Sequence, residues 1–213
     1  EEIVRSIDRQ LDQLPREKVS ILLIRGCHCL VVALATAKPF FQVVTFPLFQ
    51  ALVRRNVRSV MKTVQTEDGV ERKNKVPKDF EVQISPVQAV LIGSQLASVS
   101  SNNAKRISSA QQYFERLEEI DSVLLPPKFN DGSHIYLSFP IQVHSRWELA
   151  RFLSSAGRDV ATAHMKNAAS LNMFSEIRAD CPIAEEVSKS LLFLPTYPGY
   201  PPEEVSKNIT AIE

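Results

Sequence analysis

The 213-residue chain is long enough for one ordinary domain, or for one medium and one small domain. Apolar residues are 44% and charged residues 23%, which supports a buried core, and a formal net charge of +1 excludes the strong positive field of a nucleic-acid binder. Three cysteines, an odd number, exclude a disulfide framework and suit a reducing cytoplasm, and the N-terminus has no signal-peptide pattern.

Residues 1–14 carry Ile3, Ile7, Leu11 and Leu14 at spacings of three and four, which predicts an amphipathic helix ended by Pro15. Residues 15–37 then run almost unbroken in apolar side chains, close to the length of a membrane span, with Arg25 and His28 inside. A central Arg costs about 2.5–3.5 kcal/mol in lipid, which favours a buried or interfacial helix over a span. The apolar, aromatic segment 40–53 follows, with Phe40, Phe41, Phe46 and Phe49, and closes on the basic cluster Arg54-Arg55-Asn56-Val57-Arg58. That cluster reads as a solvated helix end, or as a contact with anionic lipid heads that makes 15–58 a peripheral membrane segment. Cys27-His28-Cys29 cannot converge on one ion from a helix and is expected to pack rather than to bind metal.

The polar stretch 64–83, with Glu67-Asp68-Gly69 as a turn, reads as a linker between an apolar helical segment (1–63) and a long helical connection (84–125). Ser85-Pro86 predicts a sharp helix start, and Ile107, Ala110, Phe114, Leu117 and Ile120 continue helical spacing beyond a weak run at 98–103. From 126 to 213 the pattern alternates. His134–Val143 reads as a strand, Ser145-Arg146-Trp147-Glu148 as a capping box with Trp147 in the core, and Gly157 as a helix stop. A short strand at 160–164, a helix from Pro182, a strand Leu191–Pro195 and a helix from Pro202 complete a small domain. The fold class is α/β (α+β): an N-terminal helical segment, long helices, and a small three-layer-type C-terminal domain of mixed sheet and helices.

Three separated stretches carry a family resemblance. The segment Cys181-Pro182-Ile183-Ala184-Glu185-Glu186, running on to Leu194-Pro195-Thr196-Tyr197-Pro198, resembles the closing signature of the DegT/DnrJ/EryC1/StrS sugar aminotransferases. Ile84-Ser85-Pro86-Val87-Gln88-Ala89 through Gly93-Ser94-Gln95-Leu96 is similar to the family's helix entry, and Ile135–Val143 to a family strand ending Pro-Ile/Val-x-Val. The matches run in order over 84–213. The resemblance implies transfer of an amino group from glutamate to a keto-sugar in polysaccharide or nucleotide-sugar metabolism, on a cytoplasmic homodimer, with pyridoxal phosphate held by a lysine.

That lysine belongs to the family's larger domain, expected before residue 1, so this chain is expected to be a C-terminal portion with no cofactor and no activity by itself. The other reading is a non-catalytic dimerisation or membrane-peripheral module of the same descent. No catalytic, cofactor-binding or metal-binding residue is assigned. Lys38, followed by Pro39-Phe40-Phe41 instead of a Gly-rich strand, reads as a helix-end charge. Where the family often has an Asn before the helix entry, Asp79–Ile84 has none, and Glu81 would repel a phosphate. His164, Lys166 and Asn167, in the small domain after its second strand, are the residues expected to face a sugar substrate.

Overall fold

A helix that opens on Pro182 and delivers four consecutive apolar residues into a strand organises the C-terminal half. Pro fits the first helical turn because its missing N–H has no intrahelical partner there. A computed structural model of the chain describes residues 2–48, 51, 75–76, 80–129, 131–162, 166–177 and 179–213, with the side chains of Glu2, Asp8, Lys38 and Ile177 left aside. The expected basic cluster 54–58 lies outside the described residues, as does most of the expected linker 64–83. The described chain divides into two units, Glu1–Ser94 and Gln95–Glu213.

The first unit contains α1 (Glu2–Gln13), α2 (Val19–Thr36), α3 (Lys38–Phe40, continued by a π-helical turn Phe41–Thr45) and most of α4 (Pro86–Leu96). Gln83 ties the end of α1. Its backbone N–H donates to Pro15 O (2.9 Å) and its Nε2 to Leu11 O and Asp12 O (3.1 and 3.2 Å). Ser85 caps α4 reciprocally: Gln88 N–H donates to Ser85 Oγ (3.2 Å) while Ser85 N–H donates to Gln88 Oε1 (2.9 Å).

The second unit holds α5 (Val99–Leu117), β1 (Val123–Leu124), β2 (Phe139–Val143), α6 (Arg146–Ser155), α7 (Pro182–Ser190), β3 (Leu191–Leu194) and α8 (Pro202–Ile212). The sheet is antiparallel in the order β1-β2-β3, with Val123 opposite Val143, Ile141 opposite Leu192 and Phe139 opposite Leu194. On β2, Phe139, Ile141 and Val143 are buried and Pro140 and Gln142 half-buried, the two-residue period of a sheet with one core face. Pro140 stands opposite Phe193, whose N–H and C=O pair instead with Ala161 (2.8 and 3.1 Å). The proline therefore occupies a non-hydrogen-bonded position, and its missing donor breaks no rung of the ladder.

The core face is covered by Ala110, Tyr113, Phe114 and Leu117 of α5, Ala150 and Leu153 of α6, and Val205 and Ile209 of α8. The Tyr113 ring stacks on Phe139 with centroids 5.1 Å apart, and Phe114 meets the same ring edge-on at 4.8 Å.

Several expectations are corrected. The strand expected from His134 begins only at Phe139, because Tyr136 has φ of +47° and turns the chain out of the extended path. His134 Nδ1 accepts the Tyr136 N–H (3.0 Å), and the buried Thr196 hydroxyl donates to Tyr136 O (2.6 Å). Of the strand expected at 160–164, the described residues 160–162 make a single bridge, Ala161 to Phe193. The Ser145 box is not formed, since Ser145 makes no side-chain cap bond and its ψ of 55° lies outside the extended region a cap uses. Trp147 is 56% exposed, because α6 turns Ala150 and Leu153 inward, and the Arg146 guanidinium lies 4.6 Å from its ring centroid. Cys27 and Cys29, expected to pack, are exposed. Strand β1 was not expected. Gly157 does end α6, with φ of +72° and a hydrogen bond from Arg158 N to Leu153 O (2.8 Å).

Leu192 is fully buried at the centre of this core. L192A is expected to destabilise the second unit by about 3 kcal/mol, from lost burial plus the cavity left behind. Urea unfolding followed by the near-ultraviolet signal of the core tyrosines measures it, and a loss below about 1 kcal/mol would show that the cavity collapses.

Candidate functional site

Ahead of α7 a loop carries a short 3-10 helix, Ala168–Ser170, and a 3-10 segment, Asn172–Ile177, kinked at Phe174, before Cys181 leads into α7. Between this loop and the first turns of α7 is a cavity of about 810 Å3, lined by Asn167, Asp180, Cys181, Glu185, Glu186 and Lys189 among others.

Asn167 is fixed at both ends of its amide. Its Oδ1 accepts Ala169 N–H (3.1 Å), capping the first 3-10 turn, and its Nδ2 donates to Glu185 Oε2 (3.0 Å). The other Glu185 oxygen takes Lys189 Nζ at 2.9 Å, one helical turn on. The Lys189 and Asn167 hydrogen bonds hold the Glu185 carboxyl below the usual carboxylate range. Glu185 also lies in the first turn of α7, where the helix dipole favours negative charge. The lining thus presents three carboxylates, Asp180, Glu185 and Glu186, against one ammonium. Such a surface accepts hydrogen bonds from hydroxyl groups and repels phosphate.

A second polar cluster is built into the core edge. Asn208, fully buried on α8, donates Nδ2 to Tyr113 Oη (3.2 Å) and accepts from Tyr200 Oη (3.1 Å), while Tyr113 donates to Pro195 O (3.2 Å). Burial raises the Tyr113 and Tyr200 hydroxyls, and burial together with the Asp159 charge pushes Tyr197 up to about 12. Partial desolvation raises the Asp159 carboxyl above its ordinary range although the residue is exposed at the surface, and a hydrogen bond with Tyr197 partly opposes the shift. Arg158 beside it is engaged with Glu204 at 2.6 Å, and Lys207 reaches the other Glu204 oxygen at 2.7 Å. All three tyrosines are therefore neutral at physiological pH, and the cluster acts as structure.

Of the residues expected to face a sugar, Asn167 lines the cavity, Lys166 is exposed beside it in sequence, and His164 lies outside the described residues. Sequence reasoning missed the partner that orients Asn167. The signal was present in Glu185 and Lys189, four apart on a helix, with an Asn eighteen residues upstream.

The second unit does not fit pyridoxal phosphate as a resident cofactor. Its five lysines, Lys105, Lys128, Lys166, Lys189 and Lys207, are all exposed, whereas a Schiff-base amine must be desolvated to be neutral and nucleophilic. Its three glycines, at 132, 157 and 199, form no phosphate-cradling turn, and the cavity lining is acidic. No group of three or more metal-ligating side chains occurs among the described residues.

The model of the DegT/DnrJ/EryC1/StrS aminotransferase family matches residues 53–213. The UDP-N-acetyl-3-dehydro-alpha-D-glucosamine 3-aminotransferase of Acidithiobacillus ferrooxidans is 25% identical over 134 residues, covering 62% of this chain and 36% of that protein. Among solved structures, S. venezuelae DesV in complex with a ketimine intermediate is 21% identical with a TM-score of 0.57, over 66% of this chain and 40% of that one. Helicobacter pylori PseC, an aminotransferase of pseudoaminic acid biosynthesis, is 17% identical with a TM-score of 0.56, over 74% and 45%. The E. coli GDP-4-keto-6-deoxy-D-mannose-3-dehydratase with bound hydrated PLP is 14% identical with a TM-score of 0.54, over 68% and 41%. The chain thus spans little more than a third of the curated relative it matches.

Two substitutions test the local chemistry. N167A removes a cap and the tie to Glu185, and is expected to cost about 1 kcal/mol and to speed proteolysis within 166–180. Unchanged cleavage would separate Asn167 from the order of this loop. For Asp159 the sign follows from its raised carboxyl. Its favourable contribution is present below the ordinary value of 3.8 and is lost as pH rises through the folded value. D159N should therefore gain stability relative to the parent as pH increases from below 3.8 to neutrality, measured by urea midpoints across that range. A difference that shrinks with pH would reverse the assignment.

Proposed function

The chain belongs to the DegT/DnrJ/EryC1/StrS aminotransferase family, and from that membership we propose that it supplies the small-domain part of a sugar aminotransferase. In this reading the cofactor and its lysine are held outside residues 95–213, and the second unit contributes the wall against which a hydroxyl-rich keto-sugar lies. The observation that carries the reading is the family match over 53–213 together with the acceptor-rich cavity at Asn167 and Glu185. Carboxylates and an amide suit sugar hydroxyls, and the same lining is unsuited to a phosphate.

The reaction proposed for the assembled protein moves an amino group from glutamate to the keto carbon of a nucleotide-linked sugar. The curated relative, whose name specifies a UDP-linked 3-keto sugar, supports that class. The contribution proposed for this chain is to orient the sugar ring and limit water access, which raises the effective concentration of the reacting groups. The exposed apolar side chains of α4, Val87, Val90, Leu91 and Leu96, offer a surface for the cofactor-bearing part.

Borohydride reduction in the presence of pyridoxal phosphate, followed by peptide mass mapping, tests this. The chain by itself should give only scattered, substoichiometric labelling of its exposed lysines. Protein made from the gene's full coding sequence should be labelled at one lysine outside 95–213. Stoichiometric labelling of a single lysine within 95–213 would overturn the reading.

A further inference from the structure

The first unit carries a feature that aminotransferase chemistry leaves unused. Helix α2 has 18 residues, about 27 Å at 1.5 Å per residue, close to the roughly 30 Å hydrocarbon thickness of a bilayer. Not one of its residues is buried. Val19 (71%), Ile21 (39%), Leu23 (64%), Ile24 (69%) and Val32 (44%) are all exposed, and at 100° per residue they fall at about 0°, 200°, 40°, 140° and 220° around the axis, on three sides of the helix. A helix that docks on one protein surface keeps a broad polar face for solvent, whereas here the polar residues His28, Arg25 and Thr36 share their arc with exposed Ile21 and Val32. The family match begins at residue 53, so α2 lies outside the matched part of the chain.

Charge is placed at the ends. No acidic residue occurs from Val19 to Thr36, Arg16 and Lys18 precede the helix, and Lys38 follows it in sequence. The cation inside it is paired with an acid that precedes the helix. The Arg25 side chain runs back toward the N-terminus, the direction helical side chains lean, and places NH1 2.7 Å from Glu17 Oε1, ahead of the first helical residue. The guanidinium thus lies about one turn N-terminal of its own Cα, where it is neutralised by Glu17, whose side chain is almost fully buried. Beyond Thr36 the chain leaves the helical path at Ala37 (φ −60°, ψ 130°), and Thr45 Oγ1 donates to Ala35 O (2.8 Å), which holds the exposed rings of Phe40 and Phe41 at the far end. Aromatic rings are favoured at a membrane interface.

We propose that α2 is embedded along its length in a lipid bilayer bearing anionic headgroups, with Arg16 and Lys18 at the headgroup level of one leaflet and Arg25 neutralised by its pairing with Glu17. The bilayer covers every side of the helix at once, which neither a second copy nor a single docking surface does.

Cys27 and Cys29 are exposed thiols on this helix, and the half-buried Cys181 serves as an internal reference. The experiment follows labelling of the whole chain by a membrane-impermeant maleimide, with and without vesicles of phosphatidylcholine containing a quarter phosphatidylglycerol. With vesicles, Cys27 and Cys29 should become protected while Cys181 keeps its rate, and the chain should float with the lipid after an alkaline carbonate wash. L30D, at a site 62% exposed, should lower the vesicle partition constant by about a hundredfold. An unchanged Cys181 rate in L30D would show that the second unit is still folded. Equal reactivity of Cys27 and Cys29 in both conditions would overturn the proposal. So would protection of both thiols without lipid, which would assign the cover to protein.

Discussion

Four consecutive buried residues, Leu191 to Leu194, set the terms for the second unit. A strand normally alternates between a covered and a wet face, but this one must be covered on both. It therefore takes β2 on one edge and a backbone rung to Ala161 on the other, and it needs α5, α6 and α8 over its core face. The tolerance of Pro140 in the middle strand follows from the same arrangement. Because Phe193 directs its amide toward Ala161, the proline falls on a position that requires no donor.

The polar groups at the rim of that core are arranged so that none is buried alone. Asn208 bridges two tyrosines, Thr196 caps two carbonyls, and Tyr113 closes on the Pro195 carbonyl at the end of β3. Each of these bonds contributes only about 1 kcal/mol net, yet leaving any donor or acceptor unmade would cost more. Arg146 is the exception among the described side chains. Its Nε is buried without a partner while its NH1 donates to the Ser188 carbonyl in the last turn of α7.

How far the fold was legible depended on whether its signals were local. Pro182 and Pro202 mark helix starts through a covalent property of the residue itself, and the run Leu191–Leu194, short and stopped by Pro195, reads as a buried strand, so α7, β3 and α8 were readable. His134–Leu137 looked like strand because its apolar residues alternate. The left-handed Tyr136 depends on Thr196, sixty residues away, and no local pattern carries that. Trp147 shows a related failure. An aromatic in a first helical turn does not say which face the helix buries, and here small Ala150 and Leu153 face inward. At the site, the type of Asn167 suggested function, but its orientation comes from Glu185, a contact the fold creates.

Tyr136 holds its left-handed conformation, disfavoured for a bulky side chain, through three separate anchors: its hydroxyl accepts Phe129 N–H, its own N–H goes to His134, and its carbonyl goes to Thr196. Relieving the backbone strain requires all three to let go together. The connection between β1 and β2 is thereby made into a latch with two settings, fastened or sprung, and its opening and closing should be cooperative, not a gradual fraying from either end.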